Sequence, residues 1–184
     1  MCIRDSYDLA PHDLSIVLHL TDSRPRWVQA MGLRYGFESA ECLSYIHLEF
    51  DNGVVAHFHL SWISPVKLRR MIVAGSEKMA VYDDMNAGEK IKIFDKGMEP
   101  HSTGTDEINK ALVNYRIGDM WAPQLETTEA LTKAAQEFLE AIAAGAEPET
   151  NGTVGLRVVR ILEAATRSME HNGQLVELDL TENT

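Results

Sequence analysis

The sequence predicts an α+β fold, in which a largely antiparallel (mixed), open β-sheet carries helices packed on one face. Three observations point to it: a helical segment near the N-terminus, a long run of short β-rich segments divided by turns, and two helical segments near the C-terminus. Strands that follow one another directly pair as an antiparallel sheet, and helices outside the run then cover one side of it. With 184 residues and no visible linker, the chain has room for one core of ordinary size.

The first helix is predicted over residues 11–21, where apolar side chains crowd together. Pro11 suits its first turn, because the missing N–H would have no partner there. The strands are expected where β-branched or aromatic residues run between turn signals. They are predicted over residues 26–37, 42–50, 54–63, 68–74, 78–83, 90–95 and 112–117, with a polar loop over 97–111.

The segment Asp51-Asn52-Gly53 predicts a tight hairpin between the second and third strands, since Asn-Gly favours a two-residue turn. That turn would place Leu48 opposite His57, and large apolar residues would then lie on both faces of the sheet. Helices on one face would leave the other apolar face open, and such a face needs a partner. We therefore predict a homo-oligomer that forms through the open face of the sheet.

Two amphipathic helices are predicted near the C-terminus. Apolar residues spaced three and four apart mark the first, over 131–142, and Gly145 ends it. The second opens at Asn151 and ends at Gly173, before a short strand over 175–178. Its predicted buried stripe comprises Val158, Val159, Leu162, Ala165, Thr166 and Met169.

Composition and charge argue against several functional classes. A net charge of −11 is unfavourable for nucleic acid as a partner, because phosphate binding rests on clustered Lys and Arg. No segment approaches the roughly 18 consecutive apolar residues that span a bilayer, so no membrane partner is expected. Two cysteines, Cys2 and Cys42, cannot build a disulfide framework or a cysteine-based metal site. These features predict a cytoplasmic protein.

Residues 1–6, Met-Cys-Ile-Arg-Asp-Ser, resemble the in-frame translation of a transposase sequencing adapter, a scar found at the ends of assembled metagenomic reads. A genuine short tail is the alternative. Under the adapter interpretation, native sequence begins near Tyr7, the domain comprises residues 7–184, and the true N-terminus lies upstream.

Asp8 and His12 are the candidate catalytic residues. Because they are four positions apart, a helical turn projects both side chains to the same side. A carboxylate beside an imidazole can hold the ring in one tautomer, which suits a general acid–base. In the alternative interpretation Asp8 is a helix N-cap and His12 an ordinary surface residue, and the spacing alone leaves both open.

Residues 7–20, YDLAPHDLSIVLHL, resemble the D-x-x-x-H-x-x-D/S helix that opens the C-terminal domain of the glucose–fructose oxidoreductase and inositol 2-dehydrogenase family, Gfo/Idh/MocA. Three later segments are similar to that family in the same order. They are residues 61–69 (SWISPVKLR), 115–123 (YRIGDMWAP) and 151–165 (NGTVGLRVVRILEAA). The resemblance is to members that act on nucleotide sugars and sugar acids, and it runs over nearly all of residues 7–178.

The resemblance implies the C-terminal domain of an NAD(P)-dependent dehydrogenase that oxidises a hydroxyl of a sugar, sugar acid or nucleotide sugar. His12 would be the acid–base on that hydroxyl, Asp8 would orient its ring, and NAD or NADP would be bound mainly by an N-terminal Rossmann domain. The chain lacks the G-x-G-x-x-G turn and the Glu-Lys-Pro segment of such a domain, so we expect a fragment that is inactive alone. The alternatives are a non-catalytic binding or assembly module, and a lyase or glycosidase of the same fold that uses NAD transiently.

Four cations, Lys67, Arg69, Arg70 and Arg116, are suited to a sugar phosphate or carboxylate. A solvated strand edge is the alternative for each. Tyr115 and Trp62 are further candidates for the sugar-binding surface. The core is the alternative for both, and it is favoured for Trp62.

For one tryptophan and three histidines, a structural role is favoured over a functional one. Trp62 is assigned to the core. His57 and His59 share one face of their strand, but His47 is predicted on the opposite face, and a metal site needs three or four converging ligands. No metal is therefore predicted.

Overall fold

The computed structural model describes residues 5–34, 41–99, 114–125 and 128–179, and within them it leaves aside the side chains of residue 5 and of residues 98–99 and 114–117. The described residues form two compact units, one drawn from Met1–Pro65 and Ala134–Thr184 and the other from Val66–Lys133. The predicted α+β class is confirmed, although the strands divide between two sheets instead of forming one. Among these residues, no helix is both long and apolar enough to cross a membrane.

Three helices and eight strands make up the described chain. In order they are α1 (Asp5–Thr21), β1 (Pro25–Leu33), β2 (Leu43–Phe50), β3 (Val55–Ser61), β4 (Arg70–Ala74), β5 (Met79–Asp83), β6 (Ile91–Glu99), β7 (Asn114–Trp121), α2 (Ala130–Ala144), α3 (Gly152–Glu170) and β8 (Val176–Glu177). The first unit contains the sheet β3-β2-β1-β8 and the second contains β4-β5-β6-β7. Every strand pairing in both sheets is antiparallel.

The core of the first unit lies between one face of its sheet and the helices α1 and α3. Leu14 of α1 and Ile161 of α3 have no exposed surface, and they belong to the same buried cluster as Val28 and Leu48 of the sheet. Helix α1 begins six residues earlier than predicted, so Pro11 lies inside it and not in its first turn. The earlier start matters because it places the whole of the predicted catalytic segment in helical geometry.

The β2–β3 hairpin has a three-residue loop, and the predicted two-residue turn is wrong. The Phe50 N–H donates to the Val54 carbonyl at 2.9 Å, and the Gly53 N–H donates to the Phe50 carbonyl at 3.0 Å. Gly53 adopts a φ of +81°, the left-handed conformation that follows a type I turn in such loops. The pairing therefore slips by one residue, and His47 instead of Leu48 lies opposite His57.

This slip reverses the predicted facing of β3 relative to β2. Ile46, Leu48, Phe58 and Leu60 point into the core together, while the outer face presents mainly polar and imidazole side chains. The outer face carries Tyr45, His47, Glu49, Val55, His57 and His59. The sheet is therefore apolar on one face in this hairpin, and the two-faced pattern from which the homo-oligomer was predicted is absent.

In the second unit, β6 and β7 approach closely at a register shift between Phe94 and Lys96. Gly118 makes the approach possible, since a Cβ there would lie 2.7 Å from the Asp95 carbonyl oxygen. The predicted loop over 97–111 is wrong at its start, because β6 continues to Glu99, and residues 100–113 lie outside the described part of the chain.

Three side-chain placements differ from the predictions. Helix α2 forms as expected, but Ala141 is its one buried residue and its apolar face is exposed; that face comprises Leu131, Phe138, Leu139 and Ile142. In α3, Val159 is exposed, and Ile161, Ala164 and Ser168 are buried in its place. Trp62 is 56% exposed, so its assignment to the core is wrong.

Candidate functional site

Helix α1 presents Asp8 and His12 together on its exposed side. Ser6, Ala10 and Leu14 repeat every four residues and are fully buried, so they form the side that faces the core. Asp8 and His12 lie about half a helical turn away from that side, and both are exposed. One side of the helix therefore packs against the core, and the other side exposes a carboxylate and an imidazole at the surface of the unit.

The backbone around His12 is well held. The Ser15 hydroxyl donates to the His12 carbonyl at 2.7 Å, and one turn of helix fixes the spacing from Asp8. Within the described residues, neither side chain has a hydrogen bond or ion pair to another group. The pair is therefore available to an external ligand, and a proton-accepting imidazole with a carboxylate one turn away can serve as a general base.

The predicted basic residues belong to the second unit, where the structure pairs two of them with acids. The Arg70 Nη2 lies 2.6 Å from the Asp83 Oδ2, and this hydrogen bond holds the pKa of Asp83 below its ordinary value. Arg69 lies 3.9 Å from Asp84 and is half exposed. Lys67 is exposed in the segment before β4. Arg70 is thus engaged within its own sheet, and Lys67 and Arg69 have more freedom to meet a ligand.

Asp84 is the centre of a small polar network at one end of β5. It accepts a hydrogen bond from the Tyr82 hydroxyl at 3.1 Å and one from Lys90 at 3.3 Å. The bond from Tyr82 lowers the pKa of Asp84, with Lys90 adding to the effect. Burial, followed by the bond to Asp84, raises the pKa of Tyr82. These contacts hold the turn together.

Tyr115 and Arg116 lie on β7, with their backbones opposite Met98 and Gly97 of β6. Their side chains lie outside the described residues, so their predicted substrate-binding roles stay predictions.

One cleft in the first unit was not predicted. It has a volume of about 290 Å³ and lies where β1 ends beside α3; its lining comprises Gly32, Arg34, Glu41, Thr166, Met169 and Glu170. Glu41 is 5% exposed, and its carboxylate accepts a hydrogen bond from the buried Ser6 hydroxyl. Nothing in the local sequence marks Glu41 as buried, because its partner is 35 residues away.

The sequence also missed a polar network on the outer face of the β2–β3 hairpin. His47 and His57 lie opposite each other with their Nδ1 atoms 3.3 Å apart, and the Nε2 of His47 lies 2.9 Å from the Glu49 carboxylate. The prediction that His47 lies on the opposite face is wrong, because it rested on the two-residue turn. Within the described residues, no group of three or more His, Cys, Asp or Glu side chains has metal-binding geometry.

Residues 6–81 match the family model described as GFO/IDH/MocA C-terminal domain. This segment, which is less than half of the chain, is similar to that family. The match confirms the resemblance predicted from the motifs, and its range includes Asp8, His12, Lys67 and Arg69.

Individual relatives agree with the family match. UDP-N-acetylglucosamine 3-dehydrogenase of Acidithiobacillus ferrooxidans is 29% identical over 152 residues, which are 83% of this chain and 44% of that protein. A solved structure of that enzyme superposes with a TM-score of 0.73 at 23% identity, over 93% of this chain and 49% of the other. This chain therefore spans about half the length of the enzyme.

Two further solved structures share the fold. Aldose-aldose oxidoreductase from Caulobacter crescentus, complexed with glycerol, has a TM-score of 0.72 at 18% identity, over 95% of this chain and 47% of the other. The NAD binding oxidoreductase from Klebsiella pneumoniae has a TM-score of 0.70 at 16% identity, over 94% of this chain and 50% of the other. At these identities the two structures establish the fold, and their activities remain their own.

Proposed function

We propose that this chain is the substrate-binding and catalytic C-terminal part of an NAD(P)-dependent oxidoreductase that oxidises a hydroxyl of a sugar, sugar acid or nucleotide sugar. One observation carries the proposal: within the segment that matches the family, α1 exposes Asp8 and His12 one turn apart. The name of one relative, a nucleotide-sugar dehydrogenase that is 29% identical over 152 residues, supports the substrate class.

His12 is the residue to which we assign proton transfer. Oxidation of an alcohol requires a base that removes the hydroxyl proton while the hydrogen on carbon leaves as hydride. An exposed imidazole can accept that proton when substrate is held against it. Asp8 would be a positioning residue that orients the ring from one helical turn away.

The nicotinamide cofactor is assigned to a second domain. All strand pairings in the described residues are antiparallel, whereas Rossmann-type dinucleotide binding uses a parallel βαβ unit. The described part of this chain is therefore not the cofactor cradle. Relatives of about twice its length leave room for such a domain, and the exposed apolar face of α2 is a surface that a neighbouring domain could cover.

The remaining parts of the proposal concern substrate and assembly. Lys67, Arg69, Arg116 and Tyr115 are proposed to contact the sugar or its anionic group. We also propose a homo-oligomer that forms through the outer face of the sheet. Its basis is no longer a two-faced apolar pattern but the exposed apolar side chains Met31 and Val55, which are more than half exposed on that face. Sedimentation of the purified protein at micromolar concentration tests the oligomer, and a monomer would contradict it.

The decisive experiment uses the longer reading frame recovered from the contiguous upstream DNA. We expect that frame to encode a Gly-rich βαβ unit and the purified product to reduce NAD or NADP with a sugar or nucleotide sugar, followed at 340 nm. His12→Ala should lower turnover by about 10²–10⁴-fold and leave cofactor affinity nearly unchanged. His19→Ala is the matched control, because His19 is an exposed histidine on the same helix.

Three results would contradict the proposal in different ways. A stop codon directly before Tyr7 would remove the second domain. Unchanged turnover in His12→Ala would remove His12 from the reaction. Conversion of substrate without net cofactor reduction would indicate a lyase or glycosidase that uses NAD transiently.

A further inference from the structure

The outer face of the β2–β3 hairpin carries a group of side chains that the proposed oxidation does not use. We propose that His47 and His57 together bind a divalent transition-metal ion of the zinc, nickel or copper class through their Nδ1 atoms. The site lies on the outer face of one sheet of the first unit. The inference concerns the monomer, because the homo-oligomer proposed above would cover this face, and it is independent of the function proposed for Asp8 and His12.

The distance between the two Nδ1 atoms equals the distance expected between two nitrogens bound to one ion. Zinc–imidazole bonds are about 2.0–2.1 Å long, and two of them at a tetrahedral angle place the nitrogens about 3.3–3.4 Å apart. The Nδ1 atoms of His47 and His57 are 3.3 Å apart. Their ring centroids are 4.6 Å apart and the ring planes are tilted by 33°, so the rings are closest at their Nδ1 edges, and a rotation of the side chains brings both in-plane lone pairs onto one ion.

Glu49 prepares His47 for this role. The Nε2 of His47 lies 2.9 Å from the Glu49 Oε1, and an ionised carboxylate can only accept a hydrogen bond. The ring therefore carries a proton on Nε2, and a neutral His47 keeps the Nδ1 lone pair for a ligand or a donor. Carboxylates that hold the far nitrogen of a metal-bound histidine act in the same way, and they raise the basicity of the ring.

The hairpin holds the pair without help from distant elements. His47 and His57 are directly opposite residues on paired antiparallel strands, so the backbone ladder fixes their spacing. Without metal, the 3.3 Å contact fits a hydrogen bond in which the Nδ1–H of His57 donates to the Nδ1 of His47. Metal binding requires that His57 carries its proton on Nε2 instead, together with a rotation of the two rings, and neither change moves the backbone.

The coordination would be completed by water. His57 is exposed, and the described residues supply no third protein ligand in position. His59 does not fill that place, because its ring stacks on Tyr45 with centroids 4.7 Å apart. Two imidazoles favour zinc, nickel and copper over magnesium or calcium, which prefer oxygen ligands. We therefore expect an open site, weaker than a closed four-ligand structural site.

The test is a titration of the purified, chelator-treated chain with zinc chloride, followed by competition with a chromogenic chelator. His47→Gln and His57→Gln should each weaken the site by about 10-fold or more, and Glu49→Gln by about 10-fold. His59→Gln and His171→Gln are matched controls that should leave the affinity unchanged. Circular dichroism of each variant checks that the sheet is intact.

Imidazole ¹⁵N NMR of the unaltered chain gives a second readout that needs no variant. We expect His47 to be protonated on Nε2 before zinc is added, and the Nδ1 resonances of both rings to shift with zinc. Wild-type affinity in both His47→Gln and His57→Gln would overturn the proposal. So would loss of binding in His59→Gln, or zinc-induced shifts confined to Nε2 atoms.

Discussion

Replacing Ser168 by alanine should destabilise the first unit through one lost hydroxyl. Ser168 is fully buried on α3, where its Oγ accepts the Ala30 N–H at 2.9 Å and donates to the Gln174 carbonyl at 2.6 Å. Strand β8 pairs with β1 only at Trp27 and Val28. Ala30 lies beyond the end of that short strand, and the serine hydroxyl takes the place of the missing backbone acceptor.

The magnitude follows from what each group can do after the change. Ala30 is 1% exposed, so its N–H would have neither a protein acceptor nor water. A buried donor without a partner costs about 1–3 kcal/mol. Gln174 is exposed, so hydration offsets most of the loss at its carbonyl. We therefore expect the free energy of unfolding to fall by about 1–3 kcal/mol, or roughly 5- to 150-fold in the unfolding equilibrium constant.

Urea denaturation followed by far-UV circular dichroism measures this change, and hydrogen exchange at the Ala30 amide locates it. Ser15→Ala is the matched control, since its hydroxyl also donates to a backbone carbonyl, at 2.7 Å, but in contact with solvent. That control should change stability by less than about 0.5 kcal/mol. If Ser168→Ala is as stable as Ser15→Ala and exchange at Ala30 is unchanged, the reasoning about the missing acceptor is refuted.

Three further predictions address other parts of the chain. Gly118→Ala should destabilise the second unit by about 1–3 kcal/mol, because its Cβ would meet the Asp95 carbonyl at 2.7 Å, whereas Gly155→Ala has open space and should raise the melting temperature. Ile161→Ala should lower the free energy of unfolding by about 2–5 kcal/mol, because it leaves a cavity in the core. Leu139→Glu, on the exposed face of α2, should lower it by less than about 0.5 kcal/mol, and equal losses in urea titrations would contradict the burial pattern. The Arg70 contact lowers the pKa of Asp83 from its ordinary value of 3.8, so its stabilisation is present above that pH and lost as the pH falls through the lower, folded value. Asp83→Asn should therefore be less stable than the parent at pH 6, and the two should converge in acid denaturation as the pH falls from 3.8 through the lowered pKa of Asp83.

Some features of the candidate site depend on residues that are close in sequence, and others depend on residues that are far apart. The helical spacing of Asp8 and His12 follows from four residues of sequence, and the structure agrees that both lie on one exposed side of α1. The burial of Glu41 could not be predicted, because it depends on a hydroxyl 35 residues away. The exposure of α2 could not be predicted either. An apolar face shows that a helix needs a partner and does not show whether the partner is in the same chain.

The sequence by itself determined the features that depend on neighbouring residues, such as where the helices begin and end. Asn151 begins α3 because its side chain accepts the Val154 N–H at 3.2 Å, and Gly145 follows α2 because glycine tolerates its φ of +62°. Only the tertiary structure decided the β2–β3 register, since loops of two and three residues are both common after such a sequence. With a side-chain period of two, that one residue decided whether His47 and His57 meet or lie on opposite faces of the sheet.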